Sequence, residues 1–84
     1  MNRAKKQPPI PSGFAAMGHQ VPVERKERAY DAAQTMGLTR ENAHSCVSWM
    51  AEQLRRDKPY EALNGAKNWV DLTGAYRLMA TLLT

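Results

Sequence analysis

Four of the five prolines fall within the first 22 residues, at Pro8, Pro9, Pro11 and Pro22, and the fifth does not come until Pro59. Proline removes the backbone donor that a helix interior needs and pushes the residue before it out of the helical region. The chain is therefore divided before any apolar pattern is read. Residues 1–20 are expected to form an extended arm and residues 21–84 a helical domain. Ile10, Phe14 and Met17 are the apolar minority of that arm. From Val21 onward apolar residues recur at the helical period, and no stretch alternates with period two. The fold class that follows is all-α: a small bundle of three to four helices with an extended basic N-terminal arm.

The charge divides at nearly the same place. Arg3, Lys5, Lys6, Arg25, Lys26 and Arg28 stand against Glu24 and Glu27 in residues 1–28, whereas residues 29–84 hold six basic and six acidic side chains. The whole net charge of +4 thus belongs to the N-terminal third. Such an arm can wrap an anionic partner or remain a solvated tail. No apolar run approaches the roughly 18 residues of a bilayer-crossing helix, so no membrane partner is expected. The basic N-terminus has no apolar segment behind it, as a secretory signal would. A lone cysteine, Cys46, can form no internal disulfide. A cytoplasmic setting is the resulting expectation.

The pattern predicts a first helix from about Pro22 to Met36, with Ala29, Ala32, Ala33 and Met36 on its apolar side and Gly37 ending it. A second helix should start with Thr39 as its cap and Glu41 in its first turn, burying Ala43, Cys46, Val47, Met50 and Leu54. Pro59 restarts the pattern as a short helix through Leu63. Asn64-Gly65 then reads as a turn. The last helix should run from about Ala66 to Leu83, with Trp69, Leu72, Tyr76, Met79 and Leu83 as its central stripe and Val70, Ala75, Leu78 and Leu82 widening it. Gly74 inside it costs roughly 1 kcal/mol relative to alanine and allows a close helix approach.

The segment from Ala32 to Cys46 is the most informative in the chain. It resembles the helix-turn-helix of bacterial and phage DNA-binding proteins. In that pattern a small residue, an apolar residue, a turn glycine, a second apolar residue and a hydroxyl cap follow one another. Ala33, Met36, Gly37, Leu38 and Thr39 fill these places. Ala43 and Cys46 occupy the buried positions of the second helix, where isoleucine or valine is commoner. The resemblance implies that Thr39, Arg40, Glu41, His44 and Ser45 face outward at the front of a recognition helix. Arginine can bind guanine in a bidentate manner, and serine and threonine can bind phosphate or base edges. Glu41 repels phosphate unless it accepts from a cytosine amine. The competing structural reading is an ordinary helical hairpin with a glycine turn, which the zero net charge of residues 29–84 favours.

Other constellations carry less. His44 and Cys46, with His19, do not make a zinc site, because residues two apart on a helix do not share a face and a fourth donor is wanting. Ser45 and Ser48 near His44 lack an orienting carboxylate, so no catalytic residue is assigned and no cofactor is expected. Trp49 and Trp69 read as core or core-edge residues. Arg55-Arg56-Asp57-Lys58 reads as a solvated helix end, and as a phosphate clamp only beside a groove.

Two functions from different classes remain. The first is a small, non-enzymatic helix-turn-helix regulator or accessory protein that binds duplex DNA. Arg3, Lys5, Lys6, Arg25, Lys26 and Arg28 would neutralise phosphates, and Thr39, Arg40, His44 and Ser45 would read the groove. The alternative is a small helical protein, of the size and style seen in phages and mobile elements, that binds and inhibits a protein or nucleoprotein target such as a CRISPR complex or a host polymerase. A homodimer is expected on the first reading, since paired recognition helices read paired half-sites.

Overall fold

Pro22 sets where helical structure begins. Its φ of −59° and ψ of 148° place it just outside the first helix, and its carbonyl accepts from the backbone N–H groups of Arg25 and Lys26 at 3.1 and 3.2 Å. The computed structural model describes residues 20–84, which form four helices: α1 (Val23–Thr35), α2 (Arg40–Arg55), α3 (Pro59–Ala66) and α4 (Leu72–Leu83). The described part of the chain is all-α. The expected arm, with Arg3, Lys5, Lys6 and His19, lies outside the described residues.

The turn after α1 follows from one residue. Gly37 has φ +107°, a backbone conformation that a side chain disfavours. With it in place, Leu38 N–H donates to the Ala33 carbonyl at 3.2 Å and Gly37 N–H to that of Gln34 at 2.9 Å. This pair of bonds satisfies carbonyls that the helix end leaves without partners. Thr39 then opens α2, its hydroxyl accepting from Asn42 N–H at 3.0 Å. The end of α2 repeats the device with Asp57 at φ 60°: Lys58 N–H reaches the Gln53 carbonyl at 2.7 Å and Asp57 N–H that of Leu54 at 3.0 Å. Pro59 follows as the first residue of α3, where its missing donor costs nothing.

The core is built where α2 crosses its neighbours. Ala29 and Ala33 of α1 meet Ala43, Cys46, Val47 and Met50 of α2, and all six are fully buried. The small alanines let the two helices lie close. α3 packs across α2 with Ala62 and Ala66, and α4 closes the core with Ala75, Leu78, Met79 and Leu82, running against α1. Each fully buried Leu, Val or Met side chain contributes about 1.5–3 kcal/mol.

Three sequence expectations are corrected. Asn64-Gly65 is not a turn; both residues lie inside α3. Gly65 is used for packing, since a Cβ there would overlap the indole of Trp49. The last helix also starts later than Ala66. Asp71 starts it, its carboxylate accepting from Gly74 N–H at 2.8 Å. Trp69 and Val70 consequently sit in the α3–α4 connection. The α4 stripe is rotated as well: Leu72 and Tyr76 are 50% and 56% exposed, and Ala75, Leu78, Met79 and Leu82 face inward. Both stripes obey the helical period, and packing against α1 selects the second.

Candidate nucleic-acid interface

The front of α2 is formed by its cap. Because Thr39 fixes the start of the helix, Arg40, Glu41, His44 and Ser45 occupy its first two turns, and all five side chains are exposed. Ala43, Cys46 and Val47 point the other way, into the crossing with α1. The outward orientation of Thr39, Arg40, Glu41, His44 and Ser45 agrees with the sequence reading.

Two further residues join this surface. Arg40, Glu41, His44 and Ser45 line an open groove of about 420 Å³ whose other wall is Tyr30 and Gln34 of α1. The Tyr30 and His44 rings stack, with centroids 5.2 Å apart and planes inclined by 27°. The stack holds the imidazole against α1. Tyr30 and Gln34 belong to no motif in the sequence, but they lie four apart beside the buried Ala29 and Ala33, which places them at the edge of the helix crossing.

The basic residues of α1 divide. Lys26 lies four residues before Tyr30 and shares its row, leading toward the groove. Arg25 and Arg28 lie on another face of α1, so α2 and the three cations do not form one surface. At the far end of α2, Arg55 is held in a two-point ion pair with Glu52, Nε to Oε1 at 3.0 Å and Nη2 to Oε2 at 2.6 Å. That hydrogen bond, helped by the charges of Arg55 and Arg56, holds the exposed Glu52 carboxyl below its ordinary range. Arg55 is thereby committed within its own helix, while Arg56 and Lys58 are exposed beside it.

Cys46 and His44 do not converge: the thiol is buried and the imidazole exposed. Burial pushes the Cys46 thiol up to about 11, so it carries no charge near neutrality. Among the described residues no group of three or more His, Cys, Asp or Glu side chains is placed to hold a metal ion. No described helix is long and apolar enough to cross a membrane. Comparison with protein-family models, curated proteins and solved structures gives no match in any of the three.

Proposed function

We propose that this protein binds duplex DNA without catalysing a reaction, inserting the front of α2 into the major groove. The observation that carries the reading is the exposed set Arg40, His44 and Ser45 on a helix that Thr39 caps directly after the Gly37 turn. A helix presented in this way by a partner helix fits the width of the major groove. Arg40 has the geometry to take the two acceptors of a guanine, and Ser45 to bind a base edge or phosphate. Tyr30 steadies His44 for the same task. Glu41 accepts from a cytosine amine.

Affinity on this reading comes from the N-terminal third. Arg3, Lys5, Lys6 and Lys26 would neutralise phosphates, while Arg25 and Arg28, on another face of α1, add only long-range attraction, and residues 29–84 are balanced. The test is selection from a randomised duplex library at several salt concentrations. Arg40→Ala is expected to cost about 1–3 kcal/mol and relax preference at one base pair. Replacing Arg3, Lys5 and Lys6 together with alanine should weaken all sequences alike and flatten the salt slope by up to roughly 3. Absence of enrichment, with weak binding that vanishes near physiological salt, would sink the proposal. A homodimer is part of it, and a monomer mass at micromolar concentration would remove that part.

One observation favours the second reading, a macromolecular inhibitor. Leu72 and Tyr76 stand four apart on α4 and are both half exposed. Such an apolar pair suits a protein partner more than a phosphate backbone. On that reading Tyr76→Arg abolishes recovery of a single defined target after nuclease treatment, and Arg40→Ala leaves it intact.

A further inference from the structure

A second concavity lies away from the α1–α2 groove, where the turn after α1 faces the connection into α4. Its volume is about 450 Å³. This falls in the range of roughly 300–1,000 Å³ occupied by small-molecule sites. Met36 and Leu38, on either side of Gly37, make one wall, and Trp69 and Val70 make the other. All four are half buried. Gly74 contributes to the lining with backbone alone. A Cβ there would lie 3.1 Å from Val70 Cβ and 3.3 Å from Met36 Sδ, so the two walls come together at this residue. The cleft is held open by segments that belong to the core on their other sides.

The polar rim is asymmetric. Asp71 has its carboxylate committed to Gly74 N–H at 2.8 Å, and its charge stands against the positive end of α4. Arg77, one turn further along α4, also lines the cleft, and its exposed guanidinium makes no ion pair or hydrogen bond among the described residues. A cleft with two walls of apolar side chains, a rim that also carries Thr73 and the Asp71 carboxylate, and one planar, multiply donating cation without an ion-pair partner among the described residues complements a particular chemistry. The apolar body of a ligand would cover Met36, Leu38, Trp69 and Val70, and its carboxylate would take the two-point geometry that a guanidinium offers. We propose that this cleft binds a small organic acid, an aryl or alkyl monocarboxylate. The ligand bridges the α1–α2 turn and α4, so its occupancy reaches the residues just before the Thr39 cap. The assignment does not depend on what α2 binds.

The test is titration of the isotope-labelled full-length protein with phenylbutyrate and octanoate, and with the amide of each. The acids should give saturable shifts at Met36, Leu38 and Gly74 and at the Trp69 indole N–H. The Trp49 indole, which lies over Gly65, should stay in place and serves as the internal control. Each amide should bind at least about tenfold more weakly than its acid, and Arg77→Gln should lower the affinity for the acids to the level of the amides. Arg77 is exposed, so this substitution leaves the fold intact. Equal affinity of acid and amide would overturn the proposal. So would indifference to Arg77→Gln, shifts centred on Tyr30 and His44 in place of the cleft, or no saturable shift from either acid at millimolar concentration. An apolar peptide with a free C-terminus that binds far better than both acids would reassign the cleft to a protein partner.

Discussion

The α1–α2 connection and the last turn of α3 each contain a glycine that local rules read as a turn, and only the first is a turn. At Gly37 three requirements coincide: φ is positive, nothing crowds the position, and Thr39 waits two residues on to open the next helix. At Gly65 they conflict. The backbone remains helical, and the missing side chain is needed by Trp49. The helix ends after Ala66, the chain turns over residues 67–70, and Asp71 then caps α4. A glycine therefore marks a turn where its backbone takes a positive φ, and where the backbone stays helical it is open to use by a packing neighbour.

Substitution at each glycine separates these roles. The largest effect is expected for Gly65→Ala. A methyl group there overlaps ring atoms of the Trp49 indole, so the cost falls at the upper end of the overpacking range, about 3 kcal/mol, against the roughly 1 kcal/mol that alanine returns as helix propensity. Urea denaturation should show the net loss, and Trp49→Ala in the same chain should remove most of it. If Gly65→Ala is stabilising on its own, Trp49 does not lie on that glycine.

Gly37→Ala comes next. The site is open, so only backbone strain operates, at about 1–2 kcal/mol. Introducing Trp49→Ala should leave this cost unchanged. Coupling between positions 37 and 49 would erase the distinction drawn between the two glycines.

The caps should give the smallest losses. Thr39→Ala and Asp71→Ala each remove one side-chain acceptor and are expected to cost about 1 kcal/mol, with Thr39→Ser and Asp71→Asn largely restoring it. Amide exchange sharpens the point. Asn42 should lose protection in the first variant and Gly74 in the second, and a swap or a global loss would contradict the assigned starts of α2 and α4.

What was legible follows the same division. The fold class, the extents of α1 and α2, the role of Gly37 and the Thr39 cap could be read because apolar period and end signals agree there. The start of α4 could not. Trp69 and Val70 carry the apolar period straight through a connection, and Asp71 announces itself only through a hydrogen bond to Gly74. The inward face of α4 was ambiguous for a related reason, since Leu72–Tyr76 and Ala75–Leu78–Met79–Leu82 are both periodic. Among the groove residues, Arg40, Glu41, His44 and Ser45 were visible as the polar side of an amphipathic helix. Tyr30 and Gln34 depend on how α1 crosses α2, and that angle is a property of packed pairs, which no single segment reveals.

Cys46 gives this architecture a built-in clock. The thiol is sealed at the α1–α2 crossing and shielded by the same contacts that hold the two helices together. An alkylating reagent can reach it only while those helices are apart, so the labelling rate of the unmodified chain reports the frequency of that opening. The proton linkage has a definite sign. The folded thiol holds its proton to about 11 against an ordinary 9.0. Its contribution to stability is therefore complete below the lower value and is lost as pH rises through the higher one. Iodoacetamide at pH 8 should modify the folded protein far more slowly than the urea-unfolded chain. Gly37→Ala should quicken that modification, because it weakens the turn that keeps the crossing shut. Equal rates in the folded and unfolded chains would mean that α1 and α2 part too often to present a fixed surface to any partner.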